Sequence, residues 1–124
     1  MARWASISPR AAEMEPRLTA AFWVQAYLAR LRLAAIPAFV TARGDATAGA
    51  VIVKVNRLDG TAQAFHRSFD LASGARVWAP LAEGDEAAVD AALGRQRVHD
   101  PDLWMIEVED RQGRSLLDEP GLAG

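Results

Sequence analysis

The sequence predicts an α+β fold, an antiparallel sheet of four to five strands with two helices, in the order α-β-β-β-β-α-β. Three observations carry this. Two stretches, Pro16 to about Leu33 and Gly84 to about Arg97, have helix-favouring composition and terminal signals. Between them lie short runs of strand-forming residues separated by turn signals such as Asp59-Gly60 and Ser73-Gly74. These runs show no βαβ spacing, so the strands are expected to pair as simple hairpins in a meander.

In the first helix Pro16 stands near the first turn, and no Gly or Pro intervenes before Pro37. At about 100° per residue, Trp23, Tyr27, Ala20, Leu31, Val24, Leu28 and Ala21 form one continuous apolar arc. Leu18, Phe22, Ala26, Ala29 and Leu33 form a second. A helix lying on a sheet needs one apolar face only. The second arc is expected first to be buried within the same chain, under a loop or the N-terminal tail. Its alternative is a contact with another subunit, which makes Leu18, Phe22 and Leu33 interface candidates.

Pro37 to Thr41 reads as a short strand, and Arg43 to Gly49 as the connection to the next. Val51-Ile-Val-Lys-Val55 alternates, with Val51, Val53 and Val55 on one face and Ile52, Lys54 and Asn56 on the other. Leu58-Asp59-Gly60 is a hairpin turn, since glycine supplies the positive φ a tight turn requires. The returning strand runs from about Thr61 to Phe69, and Arg76 to Leu81 is the next, carrying Trp78. The second helix has Asp85 and Glu86 at its positive end and Arg95 and Arg97 at its negative end. Leu103 to Glu109 is the last strand, with Trp104, Ile106 and Val108 on one face. Arg111 to Arg114 turns into a short Ser115-Leu-Leu117 segment.

With 124 residues, the chain suits one domain. Residues 16–117 form it, residues 1–15 are an extension, and residues 118–124 a flexible Gly/Pro-bearing tail. Met14, just before the first helix, is an alternative start. The chain is 51% hydrophobic and 24% charged, with a formal net charge of −2. Such a balance belongs to globular proteins and gives no basic field for nucleic acid or anionic lipid. Cysteine is absent, which excludes disulfides, thiolate zinc sites and cysteine nucleophiles and fits the cytoplasm. No run approaches the roughly 20 apolar residues of a membrane span.

Several features define a resemblance. The helix Leu18 to Arg32, the stretch Gly44-Asp45…Gly49 to Val55, Asp59-Gly60 and Trp78 contribute. Asp100-Pro-Asp-Leu-Trp104 with Glu107-Val-Glu-Asp-Arg111 contributes most. Over residues 16–117 the chain resembles domain-of-unknown-function family 1491, small bacterial proteins that are mostly alphaproteobacterial. The resemblance implies a one-domain fold and no particular reaction.

Chemistry-bearing patterns are few. Gly44-x-x-x-x-Gly49 has the glycine spacing of a phosphate loop, but Ala50 and Val51 replace its Lys and Ser/Thr, and a strand follows where a helix is needed. It reads as a hairpin connection; Asp45 and Arg43 remain binding candidates. His99-Asp100-Pro-Asp102 gathers an imidazole and two carboxylates, but His66 is the only other histidine and no His-x-x-x-His pair exists. Asp100 and Asp102 therefore read first as a helix exit bonding backbone amides. Glu107 and Glu109 share a strand face, their α-carbons about 6–7 Å apart at ~3.3 Å per residue. Paired acids there suit acid–base work or ion pairs with Lys54, Arg57 or Arg67 on neighbouring strands. Trp78 and Trp104 suit stacking of a ligand or, in Trp104 above all, core packing.

The leading functional expectation is a non-catalytic cytoplasmic module that binds a protein or associates with itself, motivated by the second arc. The alternative is a small-ligand binder or enzyme using the acidic strand face with Arg43, Lys54, Asn56, Arg57 or His66, which predicts a concave pocket there. A third reading, nucleic-acid association, needs arginines gathered on one face. No cofactor or metal is expected.

Overall fold

The computed structural model describes residues 18–69 and 72–122, and these form two helices and five strands in the order read from the sequence. They are α1 (Ala20–Leu33), β1 (Ala38–Ala42), β2 (Val51–Asn56), β3 (Thr61–Phe69), β4 (Arg76–Asp85), α2 (Glu86–His99) and β5 (Trp104–Glu109). The N-terminal extension, Met14 and Pro16 lie outside the described residues. Among the described residues no helix is long and apolar enough to cross a membrane.

The sheet has the strand order β1-β5-β2-β3-β4 and is mixed. The hairpins β2–β3 and β3–β4 are antiparallel as expected, and so is β1–β5. The central pair β2–β5 is parallel, which corrects the expectation of a wholly antiparallel meander. After β4 the chain crosses back through α2 and inserts β5 between β1 and β2. Consecutive β1 and β2 are therefore not neighbours, and Arg43 to Gly49 is not a hairpin connection. The physical reason lies in β2, all six of whose residues are buried. A strand buried on both faces and bonded on both edges suits the middle of a mixed sheet.

Each face of the sheet carries one helix. Val51, Val53 and Val55 of β2, with Trp104, Ile106 and Val108 of β5, pack against Ala20, Trp23, Val24, Tyr27 and Leu31 of α1. That is the first arc of the sequence reading. The opposite face packs Ile52, Ala62, Ala64 and Leu103 against Val89 and Leu93 of α2. Thr19 caps α1, its Oγ1 accepting from the Phe22 amide at 3.2 Å. Within residues 118–122, the described part of the expected flexible tail, Glu119 and Leu122 contact the domain while Asp118, Pro120 and Gly121 are exposed. Leu117 and Leu122 join the first core, Arg30 grips the Glu119 carboxylate with two bonds of 2.8 Å, and Trp78 Nε1 donates to the Leu122 carbonyl.

Candidate functional site

The acidic strand face assembles around one cation. Lys54 on β2 is only 5% exposed, on the α2 side of the sheet. Its ammonium lies 2.8 Å from Glu86 Oε2, 2.7 Å from Asp90 Oδ1 and 3.1 Å from Glu107 Oε1. Asn56, one pleat along the same strand face, donates to Glu86 Oε2 at 2.9 Å and to Glu107 Oε2 at 3.4 Å. Its own carbonyl oxygen accepts from the Leu58 amide. Burial alone would push the Lys54 ammonium down. Hydrogen bonds to Asp90, Glu86 and Glu107 outweigh it and hold the proton well above the ordinary lysine range. Each donor of Lys54 thus has a carboxylate, while the acids keep a solvent-facing side, Asp90 being 54% exposed and Glu86 35%.

The remaining candidates are dispersed. Glu109 is level with Asn56 in the parallel register. Arg57 turns to Gln63 and Glu83 at the hairpin end. His66 is half-buried on β3 beside Ile52 and Ala79. Arg67, expected as a partner of the acids, stands level with Trp78 and stacks on Trp23 of α1, on the opposite face. The cavity at the N-terminal end of α1, of about 500 Å³, is lined by none of Arg43, Lys54, Asn56, Arg57 or His66.

The glycine-rich segment and the Asp100–Trp104 stretch form one structural joint. Trp104 is 2% exposed, and its Nε1 donates to the Asp45 carbonyl at 2.7 Å. Arg43 lies over the same indole ring, 5.3 Å from its centroid. The Asp45 amide donates to the Asp102 carbonyl, and the Asp45 carboxylate accepts from the Thr47 and Ala48 amides. The carbonyls of Ala46 and Thr47 accept from the first amides of α1. The helix N-terminus is thus occupied by the loop's own backbone. Asp100 Oδ1 accepts from the Asp102 amide, closing the exit from α2 as the sequence suggests. Among the described residues no group of His, Asp and Glu is placed to hold a metal ion.

Two features stand out on the α1 side. The second arc of α1 is exposed among the described residues: Leu18 is 54% exposed, Phe22 56% and Leu33 85%, so no described loop covers it, and the N-terminal tail, the other expected cover, lies outside the described residues. The other feature is an aromatic and cationic stack absent from the sequence candidates except for Trp78. Arg67 Cζ lies 5.1 Å from the Trp23 ring and 4.9 Å from the Trp78 ring, and the two rings are 5.3 Å apart. Burial, and then the charge of neighbouring Arg76, push the Arg67 guanidinium below the ordinary arginine range. The signal available beforehand was Trp23 in the buried arc of α1 and an arginine alternating in phase with Phe65 on β3.

Residues 18–118 match the model of a family described as protein of unknown function, DUF1491. Among solved structures the chain is similar to a crystal structure of a DUF1491 family protein from Caulobacter crescentus CB15. The identity is 42% and the TM-score 0.75, over 84% of this chain and 98% of that one. An NMR structure of a DUF1491 family protein from the same organism is 41% identical, with a TM-score of 0.71, over 83% and 94% of the two chains. The solution structure of protein Atu0922 from A. tumefaciens is 27% identical, with a TM-score of 0.64, over 76% and 86%. No curated protein matches.

Proposed function

The chain belongs to the DUF1491 family of proteins of unknown function, and on the geometry above we propose that it is a self-associating accessory protein that docks a second copy of itself through the outer face of α1. The carrying observation is the outward arc of Phe22, Ala26, Ala29 and Leu33, exposed at Phe22, Ala29 and Leu33 and half-buried at Ala26. Their spacing of four, three and four residues is that of a coiled-coil seam. The seam is also self-complementary. Two copies of α1 laid antiparallel about a two-fold axis set Phe22 opposite Leu33 of the other copy, and Ala26 opposite Ala29. Bulky residues flank a small centre where the backbones approach closely. An isologous contact of this kind is the commonest route to a homodimer. The Lys54 cluster favours this reading over chemistry on the acidic strand face, because Glu86, Asp90 and Glu107 are each already paired with the buried Lys54 ammonium. The proposed compartment is the cytoplasm, in keeping with a chain that lacks cysteine.

Analytical ultracentrifugation tests the proposal. A dimer is expected, with Phe22→Glu and Leu33→Glu both shifting it to monomer while leaving the thermal midpoint of the monomer unchanged. The lack of native cysteine permits a second test. Ala26→Cys chains mixed with Ala29→Cys chains are expected to form a mixed disulfide under mild oxidation. A strict monomer across the accessible concentration range overturns the proposal, as does a dimer indifferent to both glutamates.

A further inference from the structure

We infer that the cavity between the N-terminal end of α1 and the β2–β3–β4 side of the sheet is a binding site for a small organic carboxylate, held by Arg67 and Arg76. The cavity measures about 500 Å³, and both arginines line it together with Trp23, Thr19 and Ser68. Its remaining wall is largely apolar, with Ala20 and Val51 among it.

The ligand class follows from the donors. Arg67 Nε, Arg67 Nη2 and Trp23 Nε1 are buried and have no hydrogen-bond partner. All three are donors only, so the group that complements them is an acceptor. Leaving buried donors without acceptors is costly, and native proteins rarely do so without a functional reason. Nε and Nη2 form one edge of the guanidinium, the edge that presents two parallel N–H groups to a planar pair of oxygens. This protein uses that edge twice for carboxylates. Arg30 holds Glu119 with it at 2.8 and 2.8 Å, and Arg114 holds Asp110 with it at 3.1 and 3.0 Å. In Arg67 the same edge meets no acid.

Charge points the same way. The Arg76 side chain makes no ion pair or hydrogen bond with any described side chain, and it stands near enough to Arg67 for repulsion. An anion between them relieves that repulsion. The Trp23 and Trp78 rings hold the Arg67 guanidinium by stacking, and binding requires a small shift of that side chain to bring its buried edge to the cavity. The apolar wall then favours an acid with a hydrocarbon or aromatic body over acetate itself. The site faces the sheet from the inner side of α1. It is independent of the Phe22–Leu33 seam, and either proposal can fail alone.

The test is calorimetric titration of the full chain with acetate, octanoate, benzoate and indole-3-acetate, beside octanamide and inorganic phosphate. Saturable one-to-one binding of an apolar-bodied acid is expected, with octanamide and phosphate much weaker. Arg76→Gln, at the arginine outside the Trp23–Trp78 stack, is expected to weaken it about ten- to hundredfold. Arg67→Lys keeps the charge but loses the fork, and is expected to weaken it comparably. Because Arg67 variants risk the fold, the decisive variant is Arg76→Gln with an unchanged circular dichroism spectrum. Failure of all the carboxylates to bind, or binding unaffected by Arg76→Gln, overturns the inference. Tighter binding of phosphate than of any carboxylate overturns the assigned class.

Discussion

Lys54 on β2 and Glu107 on β5 stand level with one another in the parallel pair of the sheet, and their side chains meet at 3.1 Å. The parallel register makes the contact direct, and α2 completes it from above with Glu86 and Asp90. One buried cation therefore ties three elements together. Removing it leaves three carboxylates facing one another. Lys54→Met is expected to destabilise the fold by about 3 kcal/mol. That is the lower end of the range for breaking a buried pair, because Asp90 is half exposed and its charge is partly screened by solvent. Urea unfolding measures it. A loss no larger than that of an ordinary surface substitution contradicts the role given to the cluster.

The alkaline limb of stability follows from Lys54 and Tyr27. Burial opposes the Lys54 charge and its three carboxylates more than restore it, so the folded proton is held more tightly than the unfolded one. A raised folded value means that the contribution is whole below the unfolded lysine value, about 10.4. It is lost as pH rises through the folded value. Tyr27 is 0% exposed, its hydroxyl donates to the Ser115 carbonyl at 2.8 Å, and burial pushes its phenol up in the same sense. The urea midpoint is expected to fall steadily above about pH 10. Tyr27→Phe and Lys54→Met are each expected to remove part of that slope. A midpoint independent of pH in that range contradicts the assignment.

Parts of this arrangement are legible in the sequence, and the rest depends on pairing. The buried arc of α1 and the faces of β2 and β5 follow from local period alone, so Trp23, Val53 and Ile106 fall where periodicity puts them. Even the Lys54–Glu107 pair is anticipated, since both lie on polar-bearing faces of neighbouring strands. What local period leaves out is register. Glu86 and Asp90 enter the cluster only because of where α2 lies on the sheet. Arg67 sits opposite to the acids because β3 pairs with β2 so that Phe65 is level with Val53 and Ala64 with Lys54. One residue of slip would reverse every face of β3. The parallel pairing of β5 with β2 is likewise a property of the crossover and has no marker within either strand except the apolar run Val51 to Val53, which loads both faces of β2 before Lys54.

The glycines of the phosphate-loop pattern are explained by contact. A Cβ at Gly44 would run into the Asp102 carbonyl and the Trp104 ring, and a Cβ at Gly49 into the carbonyls of Asp102 and Asp45. These obstacles are mostly backbone and cannot swing away. Gly44→Ala is expected to cost about 1–3 kcal/mol or more, as overpacking does. Gly94, within α2 and exposed, has nothing within 4 Å of its would-be Cβ. There Gly94→Ala is expected to gain about 0.5–1 kcal/mol from helix propensity alone. Thermal unfolding of the two variants should move in opposite directions. If both lower the midpoint, the contact account of Gly44 loses its control.

The C-terminal end of α1 carries a correctable strain. Ala35 has φ of 59°, in the left-handed region that disfavours a Cβ. The geometry is imposed by the cap. The Ala35 amide donates to the Arg32 carbonyl at 3.0 Å and the Ile36 amide to the Leu31 carbonyl at 2.9 Å, the paired bonds that close a helix through a left-handed residue. Ile36 and Leu31, both buried in the first core, supply the apolar contact of that motif and lock the turn. Ala35 itself is exposed, so its methyl packs on nothing that a glycine would forfeit. Ala35→Gly is therefore expected to stabilise by about 1 kcal/mol, less a little for the entropy glycine adds to the unfolded chain. Ala35→Val, with a branched Cβ in the same conformation, is expected to destabilise by more than that gain. Differential scanning calorimetry on the three proteins gives the order Gly above Ala above Val. Any other order means that the turn relaxes out of the left-handed region and that the Ile36–Leu31 lock is weaker than drawn.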